Sequence, residues 1–213
     1  QYGSTLLALG GSCITLWTLD GTVLAKIPSQ KTCNAVWLSP DGKLLVGAGG
    51  GHRMMVWSLP DLELVHVLDA PNRIWALWGT STILASAGSD CTISVRSLET
   101  GAILLTYPRS GQVMSLWGPL DGKILTSAGF GNLTVHKLGQ AKVVHDFQDD
   151  QGAWVECVWS DGILVAWVGS KGMTARGVES GAIVREFPVR GVVRCLWGFL
   201  CANSGDYVRV IGF

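Results

Sequence analysis

The sequence carries few charged side chains. Asp, Glu, Lys and Arg make up 15% of its 213 residues, against about a quarter in typical soluble domains. The 16 basic residues balance the 16 acidic ones, so the formal net charge is zero. A neutral chain exerts no long-range attraction on the phosphates of nucleic acid or on an anionic membrane. We therefore expect neither as a partner, and we expect the apolar residues to lie in a core or under a bound protein.

Long apolar runs and targeting signals are also absent from the sequence. No run approaches the roughly 18 residues that a membrane helix needs. The start, QYGSTLLALGG, has neither the basic head nor the apolar stretch of a signal peptide. The first residue is Gln rather than Met, which predicts a trimmed chain with further residues upstream.

The six cysteines include no C-x-x-C pair, and none lies at a metal-ligand spacing from the four histidines. This spacing favours reduced thiols and an intracellular location, cytoplasmic or nuclear. The even number of cysteines leaves disulfide bonds open as the alternative. No metal site is expected.

Recognised catalytic and nucleotide-binding signatures are missing as well. G-x-S-x-G, H-E-x-x-H and G-x-x-x-x-G-K-[ST] do not occur. The stretch GAGGGH at 47–52 links two strands instead of opening a helix, so it predicts a turn and not a phosphate cradle. DFQDD at 146–150 predicts a solvated loop, with an acidic partner-binding patch as the alternative. We expect no enzymatic activity, no cofactor and no small-molecule substrate.

The sequence is instead rich in a repeat of about 40 residues. Five tryptophans end short apolar runs and lie 38 to 42 residues apart: Trp37, Trp78, Trp117, Trp159 and Trp197. The first four are each followed by three further apolar runs, and the fifth by two. The runs favour Val, Ile, Leu, Thr and Trp and are bounded by Gly, Asp and Ser, which is typical of strands. Asp-Gly pairs at 41–42, 121–122 and 161–162 predict tight hairpins between first and second runs.

Four antiparallel strands at this period predict an all-β fold, a β-propeller of four-stranded antiparallel blades. Stacked blades cover both faces of each sheet, which explains runs that are apolar throughout. We count six blades, the first and last incomplete, which predicts a single domain over residues 1–213 and a six- or seven-bladed ring when closed. The N-terminal part of the ring is expected upstream, or from another chain by strand addition. Closure with five blades is a further alternative.

One stretch of the repeat, SAGSDCTISVRSLETG at 86–101, resembles the WD-repeat family, with looser copies in LVGAGGGHRMMVWSL and LTSAGFGNLTVHKLG. The resemblance covers nearly all of residues 4–213 and implies a β-propeller that binds other proteins. The Gly-His dipeptide that usually precedes the first strand of the family's repeat is missing from every copy, and no copy ends in Trp-Asp. The family's Asp–His–Ser–Trp hydrogen-bond network is therefore not expected in its usual form, and packing should take its place.

One position of the repeat follows no packing rule. In the five-residue first runs the third residue is small and the fourth aliphatic, but the second varies: Asn34, Trp75, Met114, Glu156 and Arg194. Arg and Trp, which are enriched at binding hot spots, also occupy the loops that enter these runs. We predict a partner-binding rim of Arg73, Trp75, Arg109, Met114, Trp154, Arg190 and Arg194.

The predicted function is a non-enzymatic scaffold that binds a protein on this rim, within a hetero-complex. The ligand is expected to be a peptide or an acidic segment. The alternative is a structural subunit of a large complex that contacts its neighbours through blade sides or an open edge.

Overall fold

The computed structural model describes residues 7–9, 11–18, 20–28, 32–140, 142–148, 155, 158–169, 172–187, 192–196, 199–203 and 208–211. Regular structure in these residues is β-strand except for one 3-10 helix at Leu138–Gln140. The chain divides into two compact units, Gln1–Arg109 (unit 1) and Ser110–Phe213 (unit 2). The all-β prediction is confirmed.

Unit 1 holds three antiparallel sheets in which consecutive strands pair. Sheet 1 consists of β1 (Leu7–Leu9), β2 (Cys13–Trp17) and β3 (Val23–Pro28). Sheet 2 consists of β4 (Cys33–Leu38), β5 (Leu44–Gly49), β6 (Arg53–Ser58) and β7 (Leu64–Asp69). Sheet 3 consists of β8 (Ile74–Gly79), β9 (Ile83–Gly88), β10 (Thr92–Ser97) and β11 (Ile103–Pro108).

Unit 2 repeats this arrangement. Sheet 4 consists of β12 (Val113–Trp117), β13 (Ile124–Gly129), β14 (Asn132–Lys137) and β15 (Lys142–Gln148). Sheet 5 consists of β16 (Val158–Ser160), β17 (Leu164–Gly169), β18 (Gly172–Gly177) and β19 (Ile183–Phe187). Sheet 6 consists of β20 (Val192–Leu196), β21 (Phe199–Asn203) and β22 (Val208–Ile211). The expected grouping into four-stranded antiparallel sheets is confirmed.

Sheet 2 shows why the strands are apolar on both faces. Successive side chains of a strand point to opposite faces, and in β5 the neighbours Leu45 and Val46 are both fully buried. Leu45 packs with Ile14 of sheet 1, whereas Val46 belongs to a cluster with Ile74 of sheet 3. Both faces of sheet 2 are therefore covered by neighbouring sheets of unit 1.

Close approach between sheets 1 and 2 depends on a glycine. A Cβ at Gly47 would lie 2.3 Å from Cδ1 of Ile14 and 3.2 Å from Cζ3 of Trp57. A side chain at this position would push sheet 1 away from sheet 2, because interiors are packed to near-crystal density.

The turns follow the chemistry that their residues predict. Gly42, Gly122 and Gly162, at the second place of the Asp-Gly pairs, have φ values of 71°, 68° and 93°, which residues with a Cβ rarely adopt. Gly101 and Gly181, in the turns before the fourth strands, have φ values of 72° and 66°. The turn signals in the sequence therefore mark the strand boundaries correctly.

Candidate functional site

The variable position of the repeat is a β-bulge in the first strand of three sheets. Cys33 pairs with Gly49 and Ala35 with Ala48, so Asn34 has no partner opposite it. Trp75 is skipped in the same way between β8 and β9, and Met114 between β12 and β13. A bulge places one extra residue in the strand and re-aims its side chain, and bulges are common beside functional sites. These bulged residues lie outside the regular pairing of the strands, which explains why the repeat does not keep one residue type at this position.

Three turns of unit 1 surround Trp75 at one end of sheets 2 and 3. They comprise residues 50–52, 70–73 and 89–91, and we name them together the unit-1 rim. The N–H of Ala70 donates to the carbonyl of His52 at 2.9 Å, and the N–H of Ser89 donates to that of Arg73 at 3.0 Å. A ring nitrogen of His52, Nδ1, lies 3.3 Å from the carbonyl oxygen of Pro71. Hydrogen bonds thus link the three segments into one surface.

Arg73 of the unit-1 rim contacts Trp75, which lies beside the rim in β8. Cζ of Arg73 lies 5.1 Å from the centroid of the Trp75 ring, within the range of a cation–π contact. The indole N–H of Trp75 donates to Oγ of Ser89 at 2.9 Å, which fixes the ring against the β9–β10 turn. On the other side, a methyl group placed on Gly50 would lie 3.7 Å from Nε of Arg73. The guanidinium therefore lies between the Trp75 ring and the Gly50 backbone.

Arg73 differs from the other arginines whose side chains the structure describes. It is exposed, and within the described part of the chain its guanidinium forms neither a hydrogen bond nor an ion pair. Arg53 pairs with Asp69 at 3.6 Å, while Arg96 and Arg176 donate to carbonyl groups, those of Gly101 and Gly181, at 3.2 and 2.8 Å. Arg73 is thus a positioned cation whose five donors remain available to a ligand.

The remaining predicted rim residues have different positions. Arg109 is half-buried and follows β11; its backbone N–H donates to the carbonyl of Cys91 at 2.7 Å, so it adjoins the same turn as Trp75. Met114 is half-buried in unit 2. Trp154 and Arg190 lie outside the described residues. Arg194 lies in β20, and its side chain is outside the described part of the structure.

A small cavity opens beside the unit-1 rim, between sheets 1 and 2. Its volume is about 50 Å³. The lining combines apolar side chains, the Gly-rich stretch and three exposed residues: Ile14, Cys33, Ala48, Met55, Trp57, Gly47, Gly49, Gly51, Pro28, Thr32 and Arg53. No local sequence pattern indicates this cavity, because it depends on how closely two sheets pack.

Sequence reasoning also missed a contact from the fourth strand of one sheet to the turn before the fourth strand of the next sheet. Nε2 of His66 on β7 lies 3.1 Å from the carbonyl oxygen of Glu99 in sheet 3. About 80 residues later, Nε2 of His145 on β15 lies 3.3 Å from the carbonyl oxygen of Glu179 in sheet 5. A carbonyl only accepts, so Nε2 must carry the proton in both histidines. A sequence signal for these two contacts exists: in both cases a strand that contains His is followed in the next repeat by a turn that contains Glu, as in LVH…LETG and VVH…VESG.

His136 is a second buried feature that the repeat did not predict. Its side chain is fully buried on β14, with Nε2 3.1 Å from Oγ of Ser127. Asn132 and Thr134 share its strand at alternate positions and are also buried. Asn132 donates to Ser110 and Thr134 donates to Asp146, at 3.0 and 2.8 Å. The alternation N-x-T-x-H indicates one polar face, because every second residue of a strand points the same way.

The described residues also bear on three other features: a metal site, a disulfide and a membrane span. No group of three or more His, Cys, Asp or Glu residues among them could hold a metal ion. Cys13, Cys33 and Cys91 are free thiols, of which Cys33 alone is buried. No helix in the described part of the chain is long and apolar enough to cross a bilayer. No family model matches the sequence.

Proposed function

We propose that the chain is a divergent WD-repeat β-propeller, a non-enzymatic scaffold that binds a protein partner through the unit-1 rim. The observation that carries the proposal is the Arg73–Trp75 pair. An exposed arginine, whose guanidinium has no hydrogen bond or ion pair within the described part of the chain, is held over a tryptophan that is itself fixed by Ser89. Arg and Trp dominate binding hot spots, and a side chain that is already positioned loses less entropy on binding.

The propeller part of this proposal is supported by the way sheets stack within each unit. The first strands β4 and β8 lie side by side in unit 1, as do β12 and β16 in unit 2. Sheet 2 is covered on both faces, as a blade would be. The proposed ring has six or seven blades within one domain. The free thiols favour a reducing compartment, cytoplasm or nucleus.

The rim proposal is tested by reversing one charge. Arg73→Glu exchanges an available cation for an anion at an exposed position, so we expect the fold to persist and bound partners to be lost. Lys43→Glu is the matched control, because Lys43 is exposed in the β4–β5 turn at the opposite end of sheet 2. Partners co-purified with tagged wild-type and variant chains are compared by quantitative mass spectrometry. If Arg73→Glu retains every partner that Lys43→Glu retains, the rim does not bind them.

A second candidate, a structural subunit that contacts neighbours through its sheet edges, is favoured by a repeated apolar feature. Each fourth strand, together with β3 of sheet 1, carries a β-bulge at the same place. The bulged residues are Leu24, Val65, Leu104, Val144 and Val184. Leu24, Leu104 and Val184 are 52% to 58% exposed. Exposed apolar residues that recur on edge strands are typical of contact surfaces.

Leu104→Lys separates the two candidates. An edge-contacting subunit should lose its neighbours in this variant and keep them in Arg73→Glu. A rim-binding scaffold should show the reverse. Both variants are compared by native mass spectrometry of the purified complex.

A further inference from the structure

The Gly-rich stretch 47–52 forms a wall between the cavity and Arg73. Gly49 and Gly51 line the cavity, and Gly50 between them lies against the guanidinium of Arg73. Consecutive Cα atoms are about 3.8 Å apart, so the two features are neighbours across a single strand of backbone. A Cβ at Gly51 would meet no atom within 4 Å, so the space above this residue is open to another chain.

The cavity suits a small aliphatic group. Ile14, Cys33, Met55 and Trp57 contribute apolar side chains to its lining, and apolar linings give a water molecule too few hydrogen-bond partners. Its volume of about 50 Å³ is roughly a third of the about 150 Å³ that holds a benzene ring. Two or three carbon atoms fill such a space, which matches the end of a Val or Pro side chain.

The positive charge of Arg73 beside the cavity indicates a negatively charged group on the ligand. Arg73 presents one planar guanidinium, whose geometry fits one carboxylate in a two-pronged hydrogen bond. Arg53, which also lines the cavity, adds positive charge, although Asp69 partly neutralises it at 3.6 Å. Phosphoryl groups are generally bound by clusters of arginines. Arg73 is the one arginine among the residues that define the unit-1 rim, which favours a carboxylate.

We infer that the ligand of the unit-1 rim is a linear segment with a small aliphatic side chain that enters the cavity and an Asp or Glu that pairs with Arg73. The two residues are adjacent or separated by one position, since alternate residues of an extended segment are about 7 Å apart. The segment crosses the backbone of Gly50 and Gly51, where the lack of side chains permits close approach. This inference rests on the proposed rim function and specifies its ligand.

The test is a peptide array bound by the full chain. Octapeptides carry every pair of amino acids at two central positions, adjacent or one apart, with phosphoserine included beside Asp and Glu. We expect bound peptides to combine Val, Pro or a similar aliphatic residue with Asp or Glu. Binding only of phosphoserine peptides, binding without an acidic residue, or no binding at all would overturn the inference.

Two variants assign the halves of the ligand to their sites. Thr32 is exposed and lines the cavity, so the larger side chain in Thr32→Tyr should obstruct it. Gln112→Tyr is the control, because Gln112 is also exposed and directly precedes β12 as Thr32 precedes β4. Arg73→Glu is compared with Lys43→Glu. Loss of a charged hydrogen bond predicts about tenfold or greater weakening in Arg73→Glu, and Thr32→Tyr should abolish the aliphatic preference. If Thr32→Tyr leaves that preference unchanged, the cavity is not the apolar subsite.

The outcomes also distinguish this inference from the proposed function. Partners lost in Arg73→Glu, together with an array that selects no aliphatic–acidic pair, would leave the rim as the binding surface and refute the ligand class. Partners retained in Arg73→Glu would refute the rim itself.

Discussion

The indole Nε1 of Trp117 donates a hydrogen bond to the carbonyl oxygen of Ser160 at 3.1 Å. The bond joins the first strands of sheets 4 and 5. The corresponding residue of sheet 2, Trp37, packs on the next sheet, and its indole forms no such bond to a described residue: a Cβ at Gly79 would lie 2.8 Å from Cζ2 of its ring. The recurrent tryptophan therefore bridges successive sheets, which explains why it recurs at the period of the repeat and marks it as part of the scaffold.

We predict that Trp117→Phe destabilises the protein by about 1–3 kcal/mol, because Ser160 is 2% exposed and its carbonyl would lose a donor. For a chain of this length each kcal/mol lowers the melting temperature by about 2–4 °C. Trp37→Phe is the control, since it removes ring area but no hydrogen bond among the residues that the structure describes. Thermal unfolding followed by circular dichroism measures both variants. Equal losses would show that the indole bond contributes nothing.

Period and turn chemistry were enough to predict the strands. The residues that bound each run, such as Asp41-Gly42 and Asp161-Gly162, form the turns that their φ preference favours. A bulge could not be predicted, because it depends on register between two strands and not on the composition of one. Asn34 and Trp75 were singled out because they broke the pattern, and the structure gives register as the reason.

The site was only partly visible in the sequence. Their residue types placed Arg73 and Trp75 on the predicted rim, but the contact between the two side chains was not predicted. The neighbouring cavity combines Ile14 of sheet 1 with Met55 of sheet 2, and its existence depends on how closely the two sheets pack. No local pattern encodes that distance.

We predict that Gly88→Ala is strongly destabilising. A Cβ at this position would lie 1.9 Å from the carbonyl oxygen of Arg73, so the backbone of one of the two strands must move. Overpacking of this kind costs about 1–3 kcal/mol or more. Gly51→Ala is the control, because its Cβ would meet nothing within 4 Å. Melting temperatures of the two variants are compared, and a Gly88→Ala protein as stable as Gly51→Ala would contradict the structure.

Cys33 should be the least reactive of the described thiols. Burial raises the pKa of its thiol, and the thiolate is the form that alkylating reagents attack. At about pH 8, near the pKa of about 8.5 of a free thiol, iodoacetamide should modify Cys13 and Cys91 first. Peptide mass spectrometry over a time course follows each site, with urea-unfolded protein as the reference in which all three react alike. Labelling of Cys33 at the rate of Cys91 would contradict the burial of its thiol.

The β4–β5 turn should contribute an acid-sensitive stabilisation. The Ser39 hydroxyl donates to Oδ1 of Asp41 at 2.6 Å, and this bond, assisted by the amide and charge of Lys43, lowers the pKa of the Asp41 carboxyl. A folded-state pKa below the unfolded value of about 3.9 stabilises the protein above that pH, and the stabilisation is lost as the pH falls through the lowered pKa.

Asp41→Asn should therefore lower the melting temperature at neutral pH, and the difference from wild type should shrink below about pH 4. The expected loss is under about 1 kcal/mol, because exposed charge interactions are screened by solvent. Asp61→Asn is the control, since the exposed Asp61 carboxylate accepts no hydrogen bond from the described residues. Melting temperatures across the acidic range measure the effect. A constant difference between Asp41→Asn and wild type would mean that the carboxylate charge does not stabilise the turn.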